Sequence, residues 1–227
     1  MAEIKGITIY GENEWSDINP LELDDKRLIG VDWDKYIKEI YPKNQIILHH
    51  TVSGPEIYGD LITWKRYKAE IATSIIIERD GTIKQLFSSR YFAWHLGCGR
   101  PNLDRHSIAI ELDNWGPLRE RQGKLFTIYG NIVDVETTFY PTGFRGKQLY
   151  EAYSIPQLKS LGALLLYWKE RYKIPLTYHS DMWDVNEFAL AGHTGLYTHV
   201  SYRPYPEKSD CHPDKNLIAM IKTIENK

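Results

Sequence analysis

The chain reads as a single α/β domain, a central mixed β-sheet flanked by helices. Three observations point there. Short apolar runs that stop abruptly in turn or loop residues recur at 45–51, 74–87 and 106–112, the length and texture of buried strands. Stretches with apolar residues at helical spacing, 55–72 and 155–172, separate and follow those runs. No internal repeat, low-complexity tract or linker divides the 227 residues, a length that can bury one substantial core.

Taken in order, residues 1–40 are mixed in character and read as an N-terminal extension packed on a domain of residues 41–227. Ile7 to Tyr10 suggests a short strand, Asn13, Asp17, Asn19 and Pro20 interrupt any regular element after it, and Asp32 to Tyr41 suggests a brief helix. Gln45-Ile46-Ile47-Leu48 then reads as a strand buried on both faces. It ends in His49 and His50, with Thr51, Ser53, Gly54 and Pro55 as loop. Neighbouring strand residues point to opposite faces, so only one of the two histidines can face a given site. The pair is either a metal ligand with its neighbour, held rigidly at a strand end, or two structural histidines capping the strand.

Pro55 to Ala72 places Ile62, Trp64, Tyr67 and Ile71 at a rough helical spacing. Ser74 to Phe87 is an apolar strand, an Asp80-Gly81 turn and a second apolar strand, which together predict a β-hairpin. His106 to Leu112 is another buried strand, and its Glu111 is an acid inside an apolar run. Such a carboxylate must be paired, linked to a metal, or placed at a cleft with a shifted pKa. Residues 117–150 alternate apolar and polar groups and suggest an inserted hairpin and loop beside the core sheet. Ser154 as N-cap and Pro156 in the first turn start a helix whose stripe is Leu158, Leu161, Leu164, Leu165 and Trp168. Leu176 to His179 reads as the next strand, and Asn216 to Thr223 as a C-terminal helix.

Composition narrows the class. A formal charge of −2 gives no reason to expect nucleic acid, and no strongly cationic surface for anionic walls or membranes is evident. No stretch approaches the ~20 apolar residues that span a bilayer. Met-Ala-Glu-Ile-Lys opens without an apolar run after a basic start, so cytoplasmic synthesis without a signal peptide is expected. Two cysteines, Cys98 and Cys211, make no disulfide framework. The 16 Tyr and 7 Trp suit a sugar- or peptide-binding groove, although aromatic residues more commonly fill cores.

The histidine strand, Arg79-Asp80-Gly81, Ala93-Trp94-His95-Leu96-Gly97, Ser107-Ile108-Ala109-Ile110-Glu111 and Lys208-Ser209-Asp210 occur in a specific order. Over roughly residues 45–223 that order resembles the zinc-dependent N-acetylmuramoyl-L-alanine amidases. This family takes in phage lysozyme-type amidases, cytoplasmic wall-recycling amidases and peptidoglycan-recognition proteins. The resemblance implies a fold of that kind and hydrolysis of the amide between N-acetylmuramic acid and L-alanine in peptidoglycan. It implies a Zn2+ cofactor, a peptidoglycan or muropeptide partner and a monomer. It also implies action on the bacterial wall after release, as for a phage endolysin. A muropeptide-recycling amidase and a non-catalytic peptidoglycan receptor on the same fold are the alternatives.

Carried over residue by residue, the first zinc ligand is His49. The second is His199, whose distance from Lys208 nearly matches the family spacing, with His179 and His193 as rivals. The third is Asp210, or Cys211 if Ser209-Asp210-Cys211 is read as the family's Thr-x-Cys. The Pro-Gly usual after this ligand is missing, and Cys211-His212-Pro213 stands there. Glu111 matches the family's strand acid and Lys208 its cation, so both are expected to be catalytic. Trp94 and His95 are assigned to the cleft wall against substrate, with a structural role for His95 as the other reading. A tyrosine found on the hairpin strand of other branches is replaced here by Thr73 or Ser74. The chemistry agrees with this set. A hydrolytic zinc site needs three protein ligands and one open position, a carboxylate to move a proton, and a cation for the developing oxyanion.

Overall fold

The computed structural model describes residues 15–22 and 25–227, so the expected strand at Ile7 to Tyr10 lies outside the described residues. In chain order the elements are β1 (Leu28–Gly30), β2 (Gln45–His50), α1 (Tyr58–Lys65), β3 (Ile75–Ile77), β4 (Ile83–Gln85), α2 (Pro101–His106) and β5 (Ser107–Leu112). An insertion comes next, with β6 (Pro117–Arg121), β7 (Lys124–Thr127), β8 (Ile132–Val133), β9 (Thr137–Phe144) and β10 (Lys147–Glu151). The chain closes with α3 (Ile155–Tyr172), α4 (Glu187–Leu190), β11 (Gly195–Thr198), a 3-10 turn (His199–Ser201) and α5 (Lys215–Ile224).

Among the described residues, β1-β4-β3-β5-β2-β11 form a mixed six-stranded sheet in that spatial order. Only β3 and β4 run antiparallel within it, because they are the two arms of the hairpin turned at Asp80-Gly81. Gly81 sits at φ 90°, a left-handed conformation that glycine adopts without Cβ strain. The parallel strands β2, β5 and β11 are buried throughout, which the apolar runs at the centres of β2 and β5 require.

Alternation along each strand divides the sheet into two faces. Ile46, Leu48, Ile108, Ile110 and Leu112 pack with the stripes of α3 and α5 into the main core. Ile47 and Ile76 point the other way, into two smaller clusters. Trp15, Ile18 and Leu21 join the main core beneath α3, where the Leu21 N–H donates to Ala163 O at 2.9 Å. α3 starts as expected: Ser154 Oγ accepts from Gln157 N–H at 3.2 Å, and Lys173 ends the helix in a left-handed conformation.

Two expected elements do not form. Residues 32–41 are irregular instead of helical, because Ile37 exchanges backbone hydrogen bonds with Phe92 and Trp33 packs edge-on against Trp64, which holds the segment extended. Leu176 to His179 is not a strand. The place beside β2 belongs to β11, while the Tyr178 N–H is taken by the Glu225 carboxylate. The 117–150 insertion is larger than a hairpin and forms its own five-stranded antiparallel sheet, β8-β7-β6-β10-β9. No helix among the described residues is long and apolar enough to cross a membrane.

Candidate active site

Strand register brings the candidate residues together. β2 and β5 are parallel with His49 level with Glu111, so both side chains leave the sheet on the face away from α3. β11 pairs with β2 up to Thr198 opposite Leu48, and the next residue, His199, falls level with His49. A loop then brings Asp210 back, tied by the Val200 N–H to Asp210 O at 2.9 Å.

His49, His199 and Asp210 are all buried, and one ligand atom from each lies within 4.8 Å of the other two. Asp210 Oδ2 is 2.8 Å from His199 Nδ1 and 3.4 Å from His49 Nδ1. The acceptors on the far side of each ring assign the tautomers. His199 Nε2 lies 3.0 Å from Leu96 O, which can only accept, so Nε2 carries the proton. Ser107 Oγ donates to Leu103 O at 2.7 Å and so accepts from His95 Nε2 at 2.8 Å. His95 Nδ1 is left as an acceptor, and His49 Nε2–H donates to it at 3.1 Å. With both rings neutral, each of the two Nδ1 atoms turns a lone pair toward a carboxylate oxygen. Lone pairs converging at these distances need a cation or a proton between them. Two imidazole nitrogens and one carboxylate oxygen, with a cleft alongside, are a donor set that fits zinc with an open position.

The electrostatics agree. Burial, and then the His199 ring, pushes His49 down to about 3, so it stays neutral and able to coordinate. Burial works to raise Asp210, but a proton shared with His199 and His49, together with the Lys208 charge, outweighs it and holds the carboxyl well below the usual range. Glu111 moves the opposite way, well above the ordinary carboxylate range, through burial and then through Asp210 and Asp60. Its Oε2 is buried without a hydrogen-bond partner. A cleft of about 180 Å3 opens beside these groups, with Trp64, Thr73, Trp94, Glu111 and Lys208 among its lining residues.

The rival ligands lie elsewhere. His179 stacks on Tyr197, with ring centroids 6.4 Å apart, and His193 lies edge-on to Phe188. Cys211 is fully buried with Sγ 2.6 Å from Tyr153 Oη. His50, on the opposite face from His49, bonds the same hydroxyl at 3.0 Å through Nδ1. His95, assigned to the cleft wall, does reach the cleft, but both of its ring nitrogens are engaged, by His49 and Ser107. It sits behind His49, and these two contacts leave no ring nitrogen free toward the cleft. Of the two residues at the missing tyrosine's place, Thr73 lines the cleft and Ser74 Oγ bonds Ala109 O at 3.0 Å. Sequence reasoning missed Ser107 and Leu96 O because their contacts to the histidines span 12 and 103 residues. It also missed Trp64, whose only signal was its place on a helix.

The profile of one family, described as N-acetylmuramoyl-L-alanine amidase, matches residues 40–212, more than half of the chain. Among solved structures the chain is similar to PlyL, at 15% identity and TM-score 0.51, covering 88% of this chain and 96% of that one. The catalytic domain of PlyG is similar at 14% identity and TM-score 0.51, covering 88% and 93%. The endolysin amidase LysCS from Clostridium intestinale URNW is similar at 17% identity and TM-score 0.49, covering 88% and 95%. The likeness to PlyL and PlyG is one of fold. No curated protein matches the chain.

Proposed function

Since the chain belongs to the N-acetylmuramoyl-L-alanine amidase family, we propose that His49, His199 and Asp210 hold the zinc ion with which it hydrolyses the amide between N-acetylmuramic acid and L-alanine. The observation that carries this reading is the convergence of one ring nitrogen from each of two histidines and one carboxylate oxygen within 4.8 Å, beside a buried glutamate whose Oε2 has no partner. Zinc in such a site lowers the pKa of water to about 7 and polarises a carbonyl.

The chain's own groups supply the rest. Glu111 is the general base: its unpartnered Oε2 takes a proton from the attacking water as the oxygen bonds to the lactyl carbonyl carbon. Its burial disfavours the ionised form, and a dication held beside it would favour the ionised form that the base role requires. Lys208, at the same cleft, faces the oxyanion that develops on the carbonyl. When the C–N bond breaks, Glu111 passes its proton to the departing alanine nitrogen, leaving a lactyl carboxylate and a free amino terminus. Trp94 and Trp64 form apolar walls against which the sugar or stem peptide packs. His95 and Ser107 keep His49 in the coordinating tautomer.

The proposed setting is lysis of intact wall by a monomer, on the resemblance to phage amidases; loss of turbidity from whole peptidoglycan, set against cleavage of soluble muropeptides alone, separates it from recycling. Metal analysis tests the site itself. About one zinc per chain is expected, with activity lost on chelation and restored by zinc, and full activity after thorough chelation overturns the reading.

A further inference from the structure

The inserted sheet reaches back to the metal-site segment through the tip of its β9–β10 hairpin. Phe144 pairs with Lys147, and the two residues between them, Arg145 and Gly146, both have positive φ, 46° and 70°. That is the geometry of a tight hairpin turn in which Asn, Asp or Gly is the usual first residue. Arg145 is none of these, and its side chain is only 5% exposed. A charged residue kept buried in a left-handed conformation points to what its side chain holds.

Its guanidinium donates to Val200 O at 3.3 Å and to Arg203 O at 3.2 Å. Its third partner, Asp184, is largely exposed and adds little. Val200 directly follows His199, and its N–H donates to Asp210 O, so the carbonyl that Arg145 grips lies where the two ligand segments meet. Arg203 opens the loop that carries Lys208. Its Nη1 donates to Leu96 O at 3.3 Å, the same carbonyl that fixes the His199 tautomer. At the next turn position a Cβ on Gly146 would stand 2.6 Å from Tyr205 Oη, so the loop rests directly on the hairpin tip.

We propose that Arg145 is a positioning residue for the metal site. It clasps the 199–210 segment so that His199 and Asp210 stand at coordinating distance, and Lys208 at the cleft, before any metal binds. The proposal rests on the metal-site reading and adds to it a role for the inserted sheet.

Arg145→Asn suits the turn and removes the guanidinium, and Arg145→Lys keeps a charge that cannot span two carbonyls. In metal-free Arg145→Asn, amide hydrogen exchange is expected to speed at least tenfold in residues 203–209 while α3 and β5 keep wild-type protection. Zinc affinity, measured against a competing chelator, is expected to fall about 10- to 100-fold, the usual effect of losing a residue that orients ligands. Arg145→Lys should fall between Asn and wild type. The clasp is overturned if Arg145→Asn binds zinc with wild-type affinity, or if exchange rises evenly across the domain, as for a merely structural tie. A wild-type protein that binds zinc but leaves peptidoglycan uncleaved would instead overturn the proposed function, with the loop and affinity results still deciding the clasp.

Discussion

Replacing Glu111 by Gln keeps the shape of the side chain and removes its proton acceptor. Turnover on peptidoglycan is expected to fall at least ~100-fold, with zinc content and fold retained. A variant that cleaves at the wild-type rate would move the base elsewhere. The ligand assignment separates as cleanly. His199→Ala should lose zinc and activity together, whereas His179→Ala should keep zinc, since its ring stacks on Tyr197 outside the cluster; metal analysis of the two variants decides. At this scale the grouping of these residues was largely legible. His49, His199, Asp210, Glu111 and Lys208 could be aligned one by one with a family order, and the structure brings them to one cleft. The orienting layer was not. Whether His95 meets substrate or His49 depends on which way one ring nitrogen points, and linear order carries no trace of that.

The hairpin and the long helix were visible because their signals are local: an Asp-Gly turn between apolar arms, and Ser154 ahead of a leucine stripe. Ser154→Ala removes the hydroxyl that accepts from Gln157 N–H and bonds Arg79 O. About 1 kcal/mol of stability should go with it, read as a lower midpoint in denaturant with unchanged slope. Leu176 to His179 was read as a strand because Leu176 to Tyr178 resembles Leu196 to Tyr197 in sequence, and only the pairing of Gly195–Thr198 with Gln45–Leu48 distinguishes them. Asp60 on α1 gives an expectation set by burial. Its carboxyl is pushed up to about 7 by desolvation, against the opposing Ser53 hydroxyl and Arg79. Between about pH 4 and 7 the folded protein holds this proton after the unfolded chain has released it, so Asp60 costs stability as pH rises through that window. Asp60→Asn escapes the cost. Its melting temperature should gain on wild type from pH 4 to 7 and hold a constant lead above, and a lead independent of pH would contradict the assignment.

Across the whole molecule, the family match begins at residue 40, yet Trp15, Ile18 and Leu21 are built into the main core and Trp33 into a second cluster. Treating residues 1–40 as an extension of a 41–227 catalytic unit therefore has a testable cost: a chain starting at residue 41 exposes the surfaces those side chains cover and should unfold at lower denaturant. That the extension packs on the domain was read from the sequence; that Trp15, Ile18, Leu21 and Trp33 enter the core was not, because isolated apolar residues among Asp, Asn and Pro show no periodicity. The α/β class itself was plain from the buried parallel strands, while the five-stranded insertion was read only as a hairpin because its short alternating strands give weak separate signals. What joins these parts is one chemical claim: that the sheet, the insertion and the 199–210 segment exist to hold zinc beside Glu111. The most direct test incubates purified peptidoglycan with metal-free protein and with protein restored by one equivalent of zinc, then assays new amino termini by residue. The zinc-restored protein should release free L-alanine amino termini, and the metal-free protein essentially none. New termini at another residue, or equal release without zinc, would contradict the account.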